Sequence, residues 1–188
     1  PGKAIVLLWL HGGVHDYKKH DFFSFNHLDC EDADERILQY LKDSGTKAIA
    51  LFPVCHKSNN PKTVAWRDCY DDVEHIINDY INKGLVDKKR IYVTGSSDGG
   101  VGTWDYAEKH PEMFAAAISM SCSSPRKVDI PIYFFNTRSE KDCTDKVKEL
   151  KKKGVKVKYK YCPQYKHGGD AAECTPELLK EFFSIKKK

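Results

Sequence analysis

The stretch Arg90-Ile-Tyr-Val-Thr-Gly-Ser-Ser-Asp-Gly-Gly100 joins an apolar strand to a turn rich in glycine. Its residues 91–94 are β-branched or aromatic, which is typical of a short buried strand, and a helix is predicted to follow the turn. Gly95, Ser97 and Gly99 form a GxSxG pattern at this junction. Glycines let the backbone turn sharply, so the central hydroxyl would face outward beside the positive end of the helix. We interpret Ser97 as a nucleophile, although the N–H groups of such a turn could equally hold a phosphate.

Strands and helices alternate along the rest of the chain. Strands are predicted at residues 4–10, 47–53, 114–120, 130–135 and 155–161, and helices at residues 31–44, 65–83, 98–109, 143–153 and 176–185. The first strand is apolar throughout, as expected when both faces are covered, whereas the last alternates like a half-exposed edge strand. The pattern predicts a single α/β domain over residues 1–188, with a mostly parallel sheet of about six strands between helix layers. Only about ten residues connect the fourth and fifth strands, which predicts an open cleft without a lid there.

Composition narrows the classes of function. The chain of 188 residues carries 31 basic and 27 acidic side chains, for a net charge of +4. Its C-terminal lysines are typical of a solvated face, so we expect no nucleic-acid partner. The sequence contains no run of 18 apolar residues, so no membrane span is predicted. Seven cysteines without a CxxC pair favour neither a metal site nor a fixed disulfide pattern. The compartment stays open, with a secreted or periplasmic location slightly favoured over the cytoplasm.

Residues 87–119 resemble the α/β-hydrolases, and within them the compact esterases related to feruloyl esterases, polyhydroxybutyrate depolymerases and dienelactone hydrolases. The resemblance rests on Arg90 to Gly95, the GxSxG turn, Gly102-Thr-Trp104 and His110 to Ala117, and it extends more weakly from Ala4 to His167. It implies that the chain has a compact α/β-hydrolase fold and that the protein hydrolyses carboxylic esters without a metal or cofactor. Two departures stand out: the chain opens at what would be the family's third strand, without the leading hairpin, and Asp98 replaces an uncharged residue.

A second glycine turn, His11-Gly12-Gly13, follows the first strand. In the family, this turn and the residue after the nucleophile each supply one N–H group to the oxyanion hole. The resemblance therefore implies that Gly13 and Asp98 stabilise the negative charge of a tetrahedral intermediate. A carboxylate beside a developing oxyanion would be repulsive, so we expect the Asp98 side chain to point away or to be paired.

The family order of serine, acid and histidine implies a base late in the chain. Of the two histidines after Ser97, His110 belongs to a His-Pro helix end, whereas His167 lies in a loop after the last strand. The acid should follow the fifth strand, where the family pattern HGxxD falls on residues 136–140 and favours Glu140. Asp142 is the alternative, because one residue of loop slack would exchange the two. Asp145 is expected to cap or begin the next helix instead.

The substrate is less defined than the chemistry. Trp66 and Phe22 could stack on an aromatic acyl group, and the resemblance implies a small or carbohydrate-linked ester. Thioesterases and peptidases use the same triad. A non-catalytic hydrolase-like domain that binds a ligand or partner is the alternative, since Asp98 and Asn136 both depart from the family pattern.

Overall fold

The computed structural model describes residues 2–13, 33–55 and 65–187. Its strands are β1 Ala4–Leu10, β2 Ala48–Leu51, β3 Val86–Ser96, β4 Ala116–Met120, β5 Ile132–Thr137 and β6 Val157–Cys162. Its α-helices are α1 Ala33–Asp43, α2 Tyr70–Asn82, α3 Asp98–Lys109, α4 Thr144–Lys152 and α5 Pro176–Ser184. Two short 3₁₀ helices span Trp66–Cys69 and Gly169–Glu173.

All six described strands pair in parallel, in the order β2-β1-β3-β4-β5-β6. Parallel strands present their carboxyl ends at one edge of the sheet, so the loops that follow β1, β3, β4, β5 and β6 meet there. The predicted six-stranded parallel sheet between helix layers is confirmed. The described connection from β4 to β5, residues 121–131, contains no helix.

The first strand shows how the sequence builds two cores. All seven residues of β1 are buried, and alternate side chains point to opposite faces because the strand has a period of two. Ile5, Leu7 and Trp9 pack on the side of α1 and α5. Val6, Leu8 and Leu10 pack on the side of α2, α3 and α4. A continuous apolar run is therefore what a strand covered on both faces requires.

Two boundaries differ from the predictions by more than two residues. β3 begins at Val86 rather than at residue 91, because Val86 pairs with Ala4 and an irregularity in the register then accommodates the charged residues 87–90. The predicted helix at 65–83 begins as the 3₁₀ turn Trp66–Cys69 before it becomes α2. A disulfide between Cys55 and Cys69 joins this turn to the segment after β2.

No helix in the described ranges is both long enough and apolar enough to cross a membrane.

Candidate active site

Ser97 stands between β3 and α3 in a backbone conformation that side chains rarely adopt, with φ 58° and ψ −123°. Such a conformation costs about 1–3 kcal/mol and persists only where its surroundings fix it. The Ser97 N–H donates to the carbonyl of Met120 at 3.1 Å, and the Ser97 carbonyl accepts from the Val101 N–H at 3.0 Å. Ser97 is half-buried, so its side chain keeps access to solvent at the carboxyl edge of the sheet.

The glycines of the GxSxG turn are required by close backbone approach. A Cβ on Gly99 would lie 1.8 Å from the Leu10 carbonyl oxygen, and one on Gly95 would lie 2.5 Å from the Gly99 oxygen. The first turn of α3 is thus pressed against the end of β1, where the His11-Gly12-Gly13 turn begins. The two glycine turns predicted to form an oxyanion hole are neighbours in the fold.

Replacing Gly99 by alanine is expected to destabilise the fold by about 3 kcal/mol or more, because the added Cβ meets backbone atoms that cannot rotate away. Urea unfolding of both proteins would measure the loss. Gly154→Ala is the matched control, since its φ of +85° strains a side chain while nothing lies within 4 Å. That change should cost only about 1–2 kcal/mol. Equal losses in the two variants would contradict the packing argument.

His11 supports the turn that it begins. Its ring is 2 % exposed, its Nδ1 lies 2.7 Å from the Gly12 oxygen, and its Nε2 accepts the Cys55 N–H at 3.1 Å. These contacts place the proton on Nδ1, which donates to Gly12. The Trp66 indole N–H donates to the His11 carbonyl at 3.2 Å. Gly13, the last described residue of this turn, is half-buried.

The ring of Trp66 is almost fully buried. Only 2 % of its surface is exposed, its ring lies edge-on to His11 with centroids 4.8 Å apart, and a Cβ on Gly102 would meet it at 2.6 Å. In the described residues Trp66 packs behind the glycine turn, and its contact with substrate stays a prediction. Phe22, the other residue predicted to contact substrate, lies outside the described residues.

A cavity of about 290 Å³ opens beside Asp98, against Trp66, Val101 and two arginines. Arg67 and Arg126 both donate to the buried carboxylate of Asp105 on α3. These bonds fix the helix that carries Ser97 at its amino end. Asp98 is half-buried and lines this cavity.

His167 and Glu140 are brought together from different loops. The imidazole Nδ1 of His167 lies 2.5 Å from Oε1 of Glu140, and the side chains are 45 % and 8 % exposed. The other carboxylate oxygen of Glu140 accepts from the N–H and hydroxyl of Thr137, at 2.9 and 2.7 Å. With both oxygens occupied, the carboxylate holds the imidazole with its proton on Nδ1 and leaves Nε2 as the acceptor.

Backbone contacts join the same two loops. The N–H of His167 donates to the hydroxyl of Ser139 at 2.9 Å, and the N–H of Arg138 donates to the carbonyl of Tyr165 at 3.2 Å. Asn136, the departure at the end of β5, donates its amide to the Lys141 carbonyl and so helps to close the loop that holds Glu140.

Asp142 is not brought to His167. Its Oδ1 accepts from the N–H and hydroxyl of Thr144 and from the hydroxyl of Tyr159, at 2.9, 2.7 and 3.0 Å. The Thr144 hydrogen bonds lower the pKa of Asp142 below its ordinary value. This geometry is that of a residue that leads into α4, and Asp145 lies in the first turn of the helix. The structure therefore places Glu140, and not Asp142, against His167.

One buried carboxylate of the site had not been singled out from the sequence. Asp170 is fully buried and accepts from Ser121, through its N–H and its hydroxyl, at 2.7 Å each. Burial raises the pKa of Asp170 to about 6, and the charge of Glu140 adds to the increase. The His-Gly-Gly-Asp spacing puts an aspartate three residues after His167, but burial depends on contacts with β4 that no local pattern reveals.

The raised pKa of Asp170 gives a prediction for stability. Protons bind the folded state more tightly than the unfolded one, so the stability that Asp170 contributes is greatest below pH 4 and is lost as the pH rises through 6. Asp170→Asn should therefore be more stable than the wild type at pH 8, by on the order of 2–3 kcal/mol. The difference should shrink between pH 6 and pH 4, as measured by urea unfolding at each pH.

The ionisable groups near Asp170 include Glu140 and the buried thiols of Cys122, Cys162 and Cys174. Burial raises the pKa values of the three thiols to about 12. They stay uncharged throughout the titration of Asp170. A stability difference that does not change with pH would show that Asp170 keeps an ordinary pKa in the fold.

Comparison with known proteins places these observations in context. A model described as the prolyl oligopeptidase family matches residues 60–124, which include β3, the Ser97 turn and β4. No protein of curated function matches the chain.

Solved structures match nearly the whole chain. A thermostable esterase is 22 % identical with a TM-score of 0.74, over 98 % of this chain and 56 % of its own. SOBER1 from Arabidopsis thaliana is 17 % identical with a TM-score of 0.64, over 96 % of both chains. The carboxylesterase of Bacillus cereus is 13 % identical with a TM-score of 0.61, over 96 % of this chain and 89 % of its own. The chain thus spans little more than half the length of the thermostable esterase. Sheet order, the strained serine turn and these structural matches agree that the chain has the α/β-hydrolase fold.

Proposed function

We propose that the protein is a serine hydrolase that cleaves carboxylic esters through Ser97, His167 and Glu140. The observation that carries the proposal is the 2.5 Å contact between His167 and the buried Glu140 at the sheet edge where Ser97 occupies its strained turn. A carboxylate that fixes an imidazole with Nε2 available, at the sheet edge that also holds a serine at a helix amino end, fits the arrangement that activates a hydroxyl. The esterases among the structural neighbours support the same reaction class.

The reaction has two halves. Nε2 of His167 accepts the proton of the Ser97 hydroxyl as Oγ attacks the ester carbonyl, and Glu140 stabilises the imidazolium that forms. The imidazolium then gives its proton to the leaving alcohol, and the acyl group stays on Ser97. Water attacks the acyl-enzyme by the same route, with His167 as base, and releases the acid while Ser97 regains its proton.

Backbone donors stabilise the negative charge that develops on the carbonyl oxygen. Asp98 begins α3, so its N–H has no acceptor within the helix and lies at the positive end of the helix dipole. The N–H of Gly13, at the neighbouring turn, is the second proposed donor. Loss of one such donor typically costs about 10²–10³-fold in rate. Asp98 also lines the cavity beside α3, and we propose that its carboxylate points into that cavity, away from its own N–H.

The proposed substrates are small esters, including carbohydrate-linked ones. The same chemistry could release two other leaving groups, the thiol of a thioester and the amine of a peptide. The match with the prolyl oligopeptidase family favours the peptide. The nucleophile, base and oxyanion donors would be the same for all three, so substrate choice depends on what the cleft accepts.

Labelling with a fluorophosphonate tests the proposal, because only an activated hydroxyl reacts. We expect the label on Ser97, together with turnover of at least one of p-nitrophenyl acetate, p-nitrophenyl octanoate and methyl ferulate. A peptide p-nitroanilide in the same panel separates esterase from peptidase activity. A protein that resists the label and leaves all four substrates intact would instead be a non-catalytic hydrolase-like binding domain.

A further inference from the structure

Ser121, directly after β4, makes an unusual set of contacts. Its hydroxyl accepts the N–H of Gly168 at 2.8 Å and donates to Oδ1 of Asp170 at 2.7 Å. Its own N–H donates to Oδ2 of the same carboxylate at 2.7 Å. One serine thus binds the segment after His167 at two points, immediately past the histidine and three residues along.

Burying the Ser121 hydroxyl and the Asp170 carboxylate costs desolvation free energy, and apolar side chains could fill the same space without that cost. Ser121 is 2 % exposed and Asp170 is fully buried. A buried carboxylate is expensive to desolvate, and an apolar pair of similar volume would often be as stable or more so. Buried polar groups that are fully hydrogen-bonded instead select one arrangement of the chain. The contacts therefore favour a role in geometry over a role in stability.

The backbone of Ser121 supports this reading. Its φ of 48° lies in the left-handed region, where glycine is strain-free and other residues cost about 1–2 kcal/mol. Position 121 is thus one where the backbone alone would favour glycine. The side chain offsets that strain through its contacts to Gly168 and Asp170.

The same place in the sheet also holds the nucleophile. Met120, the residue before Ser121, accepts the N–H of Ser97 at 3.1 Å. Ser97 is therefore hydrogen-bonded to Met120, and Gly168, the residue after His167, is hydrogen-bonded to Ser121. The positions of Ser97 and of the His167 loop are thus both set by two adjacent residues at the end of β4. The loop of Glu140 holds His167 from the other side, through Ser139 and the imidazole contact.

We propose that Ser121 and Asp170 form a clamp that sets the distance and direction from the His167 imidazole to Ser97. The inference rests on the proposed function, because it concerns the base of that reaction. Both are positioning residues: they act through the backbone of Gly168 and through the strand end, and touch neither the substrate nor the reacting atoms. A carboxylate and a serine outside the triad thereby determine how well the triad is aligned.

Three variants separate the hydrogen bonds from the charge. Ser121→Gly removes the hydroxyl and relieves the strained φ, and Asp170→Ala removes the carboxylate. Asp170→Asn removes the charge but retains an oxygen for the Ser121 N–H and an amide that can donate to the Ser121 hydroxyl. We expect kcat for p-nitrophenyl acetate to fall about 10²-fold in Ser121→Gly and Asp170→Ala, because small misplacement of a catalytic group has that effect. KM should stay within about twofold in both, and Asp170→Asn should recover most of kcat.

Hydrogen exchange read by mass spectrometry provides a measure that does not depend on turnover. In Ser121→Gly and Asp170→Ala, the peptide covering residues 163–170 should exchange faster than in the wild type, while peptides from β1 and α2 should not change. Ser121→Gly decides the matter even if Asp170→Ala fails to fold, since glycine fits the backbone there. Wild-type kcat together with wild-type exchange in Ser121→Gly would overturn the clamp.

The two proposals can fail separately. If the wild type neither turns over an ester nor takes the fluorophosphonate label, the proposed function fails, and exchange in residues 163–170 still decides whether the clamp orders this loop. If the wild type is active and both the hydroxyl and carboxylate variants keep their kcat, the clamp fails while the proposed function stands. Loss of activity in Asp170→Asn equal to that in Asp170→Ala would also contradict the clamp. It would show that the loss comes from removing the negative charge and not from removing the hydrogen bonds.

Discussion

Ser97→Ala is expected to lower kcat/KM for the ester that the protein turns over best by about 10⁶-fold, the loss typical when a triad nucleophile is removed. The methyl group cannot form the acyl-enzyme, so the variant should also resist the fluorophosphonate. Stability should change little, because Ser97 is half-buried and its described hydrogen bonds are made by backbone groups that alanine retains. Steady-state kinetics and mass spectrometry of the labelled protein would measure both effects.

Ser96→Ala is the matched control for this experiment. Ser96 is 1 % exposed, and its hydroxyl has no hydrogen-bond partner within the part of the chain that the structure describes. Removing it makes the same chemical change one residue away, and we expect activity within about threefold of the wild type. Substantial ester hydrolysis by Ser97→Ala would exclude this serine as the nucleophile. Equal losses in both variants would point to damage to the turn.

The sheet could be predicted largely from local patterns. The apolar run of residues 4–10 and the alternating segment at 155–161 have periodicities that reflect how many faces are covered. They therefore predict that β1 is covered on both faces and that β6 lies at the edge. The charged residues 87–90 resemble a loop, yet they continue β3, because pairing with β1 and an irregular register outweigh their weak strand propensity. Tertiary context decided that boundary.

The candidate site divides in a similar way. Ser97, Gly13 and His167 each lie within two residues of a glycine, and a glycine turn at a strand end is visible in the sequence. The choice between Glu140 and Asp142 as the acid depends on which carboxylate faces the imidazole. That orientation is set by the hydrogen bonds from Thr137 and Thr144. The sequence around Trp66 does not reveal that its ring packs against Gly102 of the next helix.

Ser121 and Asp170 show the limit most clearly. They are 49 residues apart in sequence and meet only because β4 and the segment after β6 reach the same edge of the sheet. A Ser-Cys-Ser-Ser segment and a His-Gly-Gly-Asp segment carry no periodic signal. Their importance depends on burial and on a left-handed φ, both of which are properties of the folded chain.

Glu140→Gln is expected to lower kcat by about 10⁴-fold, the loss seen when a triad carboxylate is replaced by its amide. Thr137 offers an N–H and a hydroxyl to Oε2 of Glu140, so the single oxygen of glutamine should be held there. Its NH₂ group would then face Nδ1 of His167 and require that nitrogen to accept. The imidazole proton would move to Nε2, which could no longer take the proton of Ser97. The pH profile of kcat and the imidazole resonances in NMR spectra would detect the change of tautomer.

Asp142→Asn is the matched control, since it makes the same change of carboxylate to amide two residues away. Asparagine keeps a side-chain oxygen that can accept the Thr144 N–H. Activity within about twofold of the wild type is therefore expected. If Asp142→Asn instead lost as much activity as Glu140→Gln, the loop would have to rearrange on substrate binding, and the acid would have to be reassigned. A large loss confined to Glu140→Gln would mean that the 2.5 Å contact with His167 is the one that orients the base.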